Sequence, residues 1–191
     1  MGSVTQIHAS DPSNLMRIVV GLAGHSGSGK STTARRLAEQ YGFALTSFGD
    51  IVRTEAKVRG LGEDISTLQE LGQSLIHEWG WERFCETVLS GKSSTQKLIV
   101  DGIRHSAAAN TLRQLVAPGK FILIFINSDE HVRRQRLALR SNMQDHKSAS
   151  DDHPVKHGID ELRGQAEIVV DGANDSPAEL IARALIERNW L

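Results

Sequence analysis

GLAGHSGSGKSTT, residues 21–33, places four glycines, a lysine and several hydroxyl side chains directly after an apolar run. Within it, Gly24 to Ser31 match the pattern G-x-x-x-x-G-K-[ST], with a predicted strand before it and a predicted helix after it. Glycines allow consecutive backbone N–H groups to turn toward one point, and the helix adds its positive N-terminal end there. The stretch therefore predicts an oligophosphate site.

The loop predicts the cofactors ATP and Mg²⁺. Lys30 is expected to reach the terminal phosphates, and the Ser31 hydroxyl is expected to bind Mg²⁺. His25 is expected to contribute its backbone alone, with its side chain pointing away from the phosphates. The predicted cofactor-binding residues are Gly24, His25, Ser26, Gly27, Ser28, Gly29, Lys30, Ser31 and Thr32.

A carboxylate for the metal is predicted at Asp101, which ends the apolar run KLIVD. An Asp at the end of a strand is more often a turn former or a helix cap. Together with the phosphate loop, this position favours a metal ligand.

The composition fits one globular domain of 191 residues, 39% of them hydrophobic and 24% charged. The formal net charge of -1 gives no whole-molecule argument for nucleic acid or an anionic membrane as partner, so only a local basic patch could bind a polyanion. Cys85 is the single cysteine; a reducing compartment and a buried thiol are expected. Because the sequence has no membrane-length apolar run and no signal-peptide pattern, we expect a cytoplasmic protein, with monomer and homodimer both open.

Apolar runs alternate with helical patterns along the chain. Strands are predicted at 16–23, 44–48, 97–102, 120–127 and 167–172. Helices are predicted at 30–42, 50–60, 66–91 (one or two helices), 106–116, 129–142 and 176–189. This alternation predicts an α/β fold of the P-loop type, a three-layer αβα sandwich with a parallel sheet of about five strands.

Three further segments resemble elements of nucleoside monophosphate kinases, the group that includes adenylate kinases. TSFGDIVR at 46–53 is similar to S-x-G-D-x-x-R, which holds the acceptor nucleotide in that family. VDGIR at 100–104 is similar to D-G-F-P-R, and RRQRLALR at 133–140 is similar to the R-x-x-x-R helix that leads into the lid. EAKVRGL and LQELGQSL also fit the pattern of a less characterised adenylate-kinase-like branch.

The resemblance implies roles for individual residues. Arg53 and Arg104 would grip the acceptor phosphate, and Lys30, Arg136 and Arg140 would neutralise the transferring group. Asp50 would cap the helix that carries Arg53. The substrate-binding residues implied are Ser47, Gly49, Asp50, Arg53, Gly102 and Arg104.

The sequence departs from the family at three positions. Ile103 is followed directly by Arg104, so the proline of D-G-F-P-R is absent. Ala108 lies near the position of the glutamine that reads the acceptor adenine. The lid pattern R-x-D-D is A-S-D-D here, with Ala149 in place of arginine. These departures leave the acceptor open, and the lost arginine indicates a lower rate or a different donor or acceptor.

The family pattern divides the single domain into three regions. Residues 15–48 and 97–191 form the core, 49–92 the acceptor-binding helical region and 141–160 a polar, turn-rich flap that would act as a lid. The flap histidines lack the spacing of a zinc site. Trp79 and Trp81 could stack on an acceptor base, but packing of helices onto the sheet is favoured.

The sequence therefore predicts a kinase that transfers the γ-phosphoryl group of ATP to a nucleoside or deoxynucleoside monophosphate. Two alternatives stay open. One is another P-loop kinase, acting on dephospho-coenzyme A, a sugar or a modified DNA base. The other is an ATP-binding switch with slow ATPase activity, which acceptor-independent ADP release would distinguish.

Overall fold

Parallel strands form one sheet at the centre of the protein. The computed structural model describes residues 17–92, 95–141, 155–173 and 176–191, with the backbone alone at 140, 141 and 155–157. The strands are β1 (Ile18–Ala23), β2 (Ala44–Ser47), β3 (Lys97–Ile103), β4 (Lys120–Asn127) and β5 (Ile168–Asp171). Their order is β2-β3-β1-β4-β5, and all neighbours are parallel. This confirms the predicted five-stranded parallel sheet.

Helices connect the strands and cover both faces of the sheet. In the part of the chain that the structure describes they are α1 (Lys30–Tyr41), α2 (Phe48–Val58), α3 (Ile65–Ser90), α4 (Ser106–Val116), α5 (Glu130–Ser141), α6 (Val155–Gln165) and α7 (Pro177–Glu187). None of these described helices combines the length and apolar composition that a membrane span requires. The three-layer α/β architecture is the predicted one.

Successive strand residues point to opposite faces of the sheet and contribute to two apolar layers, one on each face. Val20 of β1 packs with residues of α1 and α7, such as Leu37 and Leu185. Val19 faces the other layer, which is built by α2, α3, α4 and α6. Because successive residues of β1 are buried on opposite faces, both layers are fixed to the same strand. The loop that follows β1 is therefore held in place from both sides.

Helix α6 differs from the sequence expectation, since its residues 155–160 were expected to belong to the flap predicted at 141–160. The structure begins a helix at Val155, and Ile159 and Leu162 are buried in the core. The flap as predicted therefore overlaps a core helix at its C-terminal end. Its residues 142–154, including Ala149, His146 and His153, lie outside the described residues.

Arg59 ties α2 to α3. Its Nη1 and Nη2 donate to Glu78 Oε1 and Oε2 at 3.1 and 2.8 Å, and its Nε donates to Glu55 Oε1 at 2.7 Å. The hydrogen bonds from Arg59 to Glu78, with one from Ser74, lower the pKa of Glu78 to about 2. The two helices that form the predicted acceptor region are thus linked at their solvent side.

Candidate active site

The loop between β1 and α1 folds around the ammonium group of Lys30. Lys30 Nζ donates to the backbone oxygens of Gly24 and His25, each at 2.7 Å. Gly27 has a φ of 79°, and a Cβ there would lie 2.7 Å from the backbone oxygen of Arg133. A side chain at Gly27 would therefore disrupt the loop, both by backbone strain and by direct overlap.

Helix α1 begins directly after Gly29, whose φ of 100° turns the chain into the helix. Because Gly29 has no side chain, no N-cap side chain accepts a hydrogen bond from the first-turn N–H groups of α1. Gly29, Lys30 and Ser31 line a cavity. A helix N-terminus in this setting favours an anion, as the loop motif predicts.

Asp101 lies near the carboxyl end of β3, at the same level as the start of the phosphate loop. In register it stands beside Leu22 of β1 and Ser47 of β2. It is buried, and its Oδ1 has no hydrogen-bond partner among the described residues. A buried carboxylate oxygen without a partner is costly by itself, and a cation would satisfy it. Asp101 therefore fits the predicted role of a metal ligand.

Ser31 and Asp101 are oxygen donors of the kind that Mg²⁺ prefers, and both line the same cavity. The described part of the chain holds no group of three or more His, Cys, Asp or Glu side chains suited to a metal. Such a sparse protein set is usual for Mg²⁺, which keeps waters and phosphate oxygens as its other ligands.

The cavity has a volume of about 600 Å³ and extends from the phosphate loop to α2 and α3. Most of the predicted site residues line this cavity. These are Ser26, Gly27, Gly29, Lys30, Ser31, Ser47, Gly49, Asp50, Arg53, Asp101, Gly102 and Arg104. The predicted donor and acceptor halves thus open into one space.

Four predicted loop residues do not line the cavity. The His25 side chain turns to α6, where its Nε2 lies 3.0 Å from Asp160 Oδ1, while its backbone oxygen accepts from Lys30. Ser28 is buried, and Thr32 is exposed in the first turn of α1. Gly24 supports the loop through its backbone oxygen. The orientation of His25 agrees with the expectation that only its backbone belongs to the site.

The start of α2 corrects one assignment. Ser47, not Asp50, caps this helix: Ser47 Oγ accepts from the Asp50 N–H at 3.0 Å. Asp50 lies in the first turn and accepts from Arg53 Nη1 at 2.6 Å. The reason is local, because Ser47, three residues before the expected start, already accepts from the N–H of the third helical residue. The Arg53 charge is consequently paired within its own helix.

Arg104 lies on the cavity wall without a hydrogen bond or ion pair to any described residue. Surrounding protein lowers the pKa of its guanidinium by desolvation, and the charge of Asp101 opposes this; arginine still stays protonated. Burial, and secondly the Arg104 charge, lowers the pKa of the neighbouring His105. The cavity therefore presents a charged guanidinium next to a neutral imidazole at pH 7.

The two tryptophans of α3 have different surroundings. Trp79 meets Phe84 edge-on at 5.9 Å between ring centroids, as expected for a packing residue. Trp81 stacks on Phe84 at 6.4 Å, contacts His105 at 5.0 Å and also lines the cavity. Trp79 therefore acts as a packing residue, whereas Trp81 both packs on Phe84 and lines the cavity.

Of the two α5 arginines predicted to be catalytic, Arg136 has a described side chain and Arg140 does not. Arg136 donates to the backbone oxygens of Gly27, Ser28 and Gly172, at 3.4, 3.3 and 2.9 Å, and does not line the cavity. It supports the phosphate loop in this arrangement, and contact with a transferring group stays a prediction. The backbone of Arg140 belongs to α5, but its side chain lies outside the described residues.

Sequence reasoning missed several residues of the cavity wall. Arg35 lies one turn after Ser31 on α1, and the i, i+4 spacing could have revealed it. Helix α3 contributes one face of regularly spaced residues. These are Ile65, Leu68, Gln69, Gly72, Gln73 and Ile76. The helical periodicity of this segment indicates a common face, but nothing in it indicates a cavity instead of core.

Fold and site together define a P-loop protein of the kinase type. A parallel sheet of this order, a glycine-rich loop leading into α1 and a strand-borne Asp beside it are combined in one cavity.

The comparison with known families is more specific. The family described as AAA domain matches residues 23–153. A UPF0200 protein of Pyrobaculum aerophilum is 30% identical over 177 residues, which cover 88% of this chain and 97% of the relative. The chain therefore belongs to the AAA domain family and to the UPF0200 proteins.

Solved structures confirm the fold. The shikimate kinase of Aquifex aeolicus superposes with a TM-score of 0.54 and 20% identity, over 90% of this chain and 96% of that chain. A gluconokinase of Sinorhizobium meliloti gives a TM-score of 0.52 and 22% identity, over 91% and 92% of the two chains. At such identities the similarity establishes the kinase fold and leaves the acceptor open.

Proposed function

We propose that this protein transfers the γ-phosphoryl group of ATP, bound with Mg²⁺, to a phosphorylated small-molecule acceptor of nucleoside or deoxynucleoside monophosphate type. The shared cavity carries the proposal: Lys30, Ser31 and Asp101 open into the same space as Arg104. A site for ATP and Mg²⁺ alone would not need the Arg104 guanidinium, which has no hydrogen-bond partner among the described residues. An acceptor that carries its own phosphate accounts for it.

The chemistry suits a wall rich in cations. In the transfer, the bond from the γ-phosphorus to the bridging oxygen of ADP breaks, and a bond to an acceptor phosphate oxygen forms. No proton has to leave a phosphate acceptor, so no general base is needed. Bound Mg²⁺ would supply charge neutralisation at the phosphate oxygens, with Ser31 and Asp101 as its protein ligands. Lys30 and Arg104 would hold the two phosphates in position.

A second candidate is a kinase for another small molecule. Ala108 lines the cavity near the position where adenylate kinases read adenine with a glutamine, so adenine has no side-chain amide to meet there. The fold relatives named as shikimate kinase and gluconokinase show that this fold accommodates non-nucleotide acceptors. Such an acceptor would offer a hydroxyl, whose proton must leave during transfer.

The test is acceptor-dependent ADP release. Purified protein with ATP and Mg²⁺ is assayed with a panel of nucleoside and deoxynucleoside monophosphates, dephospho-coenzyme A, shikimate and gluconate. We expect one monophosphate to stimulate release, and Lys30→Ala and Arg104→Ala each to reduce it at least 100-fold. Lys97→Ala, at the opposite end of β3 from Asp101, is the matched control and should keep full activity.

The outcomes separate the candidates. Stimulation by dephospho-coenzyme A, shikimate or gluconate would replace the nucleotide acceptor with the second candidate. ADP release that is equal with every acceptor would contradict phosphoryl transfer and favour the ATP-binding switch.

A further inference from the structure

The cavity wall carries three arginines, of which the sequence motifs indicated two. Arg35, Arg53 and Arg104 all line it. Arg53 forms an ion pair with Asp50 at 2.6 Å. Arg35 and Arg104 have no carboxylate within 4 Å among the described residues. The two unneutralised guanidinium groups of this wall therefore come from α1 and from the segment after β3.

The position of Arg35 follows from the packing of α1. Ala34 and Leu37 are buried against the sheet, which leaves Arg35 exposed on the flank of the helix that also carries Ser31. Arg35 Nε donates to the Ser31 backbone oxygen at 3.3 Å. This bond uses one of five donor positions of the guanidinium, so its terminal amino groups stay available to a ligand. Arg36, the next residue, does not line the cavity.

Two other cations near the loop bind backbone oxygens in this structure. Lys30 binds the backbone oxygens of Gly24 and His25. Arg136, which the family pattern would assign to the transferring group, binds three backbone oxygens behind the loop. Two phosphates brought together carry several negative charges, and their mutual repulsion must be offset within the cavity. Arg35 is the cation that the described wall offers in addition to the predicted set.

We infer that Arg35 contacts the substrate and binds the acceptor phosphate together with Arg104. The inference rests on the proposed function, because it assumes an acceptor that carries a phosphate. Two guanidinium groups from separate elements can each bind two phosphate oxygens, which fixes the orientation of the acceptor as well as its charge. In this protein α1 thus supplies an acceptor-binding residue in addition to its role at the phosphate loop.

The test measures phosphate binding directly, so it does not depend on identifying the acceptor. Protein saturated with Mg²⁺ and a non-hydrolysable β,γ-imido analogue of ATP is titrated with inorganic phosphate by equilibrium dialysis. The analogue occupies the donor half, so the phosphate reports on the acceptor half. Arg35→Gln and Arg104→Gln should each raise the phosphate Kd at least tenfold, whereas Arg36→Gln, the adjacent control on α1, should change it less than twofold. Arg35→Lys should restore part of the affinity, because it keeps the charge but not the planar fork.

The affinity of each variant for the ATP analogue is measured in parallel. An unchanged analogue Kd in Arg35→Gln with a raised phosphate Kd supports the inference. An unchanged phosphate Kd, an equal loss in Arg36→Gln, or a loss confined to the analogue would overturn it. Lack of phosphate binding by the unmodified, analogue-loaded protein would also overturn it. Acceptor-independent ADP release in the turnover assay would instead contradict the proposed function, so the two failures are distinguishable.

Discussion

The Asp101 carboxylate is buried near the carboxyl end of β3, and its Oδ1 has no hydrogen-bond partner among the described residues. Burial of a carboxylate oxygen without a hydrogen-bond partner opposes folding. Asp101 also lines the cavity that Lys30 and Ser31 line. The residue therefore combines a cost in stability with a position suited to a metal.

Asp101→Asn should lower turnover at least 100-fold and shift the Mg²⁺ requirement to higher concentration, because an amide is a weaker metal ligand than a carboxylate. The free energy of unfolding should stay the same or rise by about 1 kcal/mol, since a buried charge is removed. Turnover against Mg²⁺ concentration and chemical denaturation measure the two effects. Asp171→Asn, at the end of β5 and with its Oδ1 accepting from Ala173 N–H, is the control; comparable loss in both variants would contradict a metal role.

At the residue scale, the sequence predicts the loop better than the rest of the site. Lys30, Ser31 and Asp101 are identified by a motif whose spacing follows from its chemistry. The i, i+4 spacing from Ser31 places Arg35 on the same side of α1, and periodicity places Gln69 on one face of α3, but only tertiary packing brings these faces to the cavity. Asp50 was expected to cap α2, but the helix begins at Phe48 and Ser47 caps it by accepting from the Asp50 N–H. Local chemistry is thus readable from sequence, whereas tertiary placement is not.

Helix α3 is broken at Gly80, where φ is 70° and ψ is 170°. This conformation is accessible almost only to glycine. The break turns the second half of the helix, with Phe84, Cys85 and Val88 buried, onto the sheet. The first half keeps the cavity-lining face that begins at Ile65. Both halves contribute to core and cavity, since Leu71 and Leu75 of the first half are buried and Trp81 of the second half lines the cavity. Gly80 separates the two halves.

Gly80→Ala should destabilise the protein by about 1–3 kcal/mol, because a Cβ strains this backbone conformation. No atom lies within 4 Å of that Cβ, so steric overlap does not contribute. Gly91→Ala is the matched control: Gly91 is exposed, has helical angles (φ -64°, ψ -7°) and equally open space. Alanine there should be neutral or slightly stabilising. Urea denaturation of both variants gives the comparison, and equal stabilities would show that the break carries no strain.

At the element scale, strands are easier to predict than the exact extent of helices. β3 and β4 are continuous apolar runs because they are covered on both faces. Helix α6 gave no comparable signal: its sequence is polar, contains Gly158, and buries chiefly Ile159 and Leu162. Its helical state depends on contacts with α4 and the sheet, including Ser106 Oγ donating to Glu161 at 3.1 Å. The sequence alone therefore assigned its first turn to a flap.

At the scale of the whole molecule, the two apolar layers share the strands of one sheet. The phosphate loop leaves β1 between these layers, and Arg136 connects it to Gly172 after β5. Residues that touch the loop thus come from distant parts of the described chain. Unfolding of either layer should release the loop, so the protein should unfold as one cooperative unit.

Binding of an Mg²⁺-bound ATP analogue should therefore stabilise the entire protein. At a concentration 100 times its Kd, a ligand specific for the folded state adds about 2.7 kcal/mol. For a domain of this size, each kcal/mol raises Tm by roughly 2–4 °C, so a rise of about 5–11 °C is expected. Calorimetry should show one transition that moves as a whole, and Lys30→Ala should abolish the shift. Two separate transitions, of which only one responds to the analogue, would contradict the single cooperative domain. A full shift in Lys30→Ala would contradict the assignment of the phosphate loop.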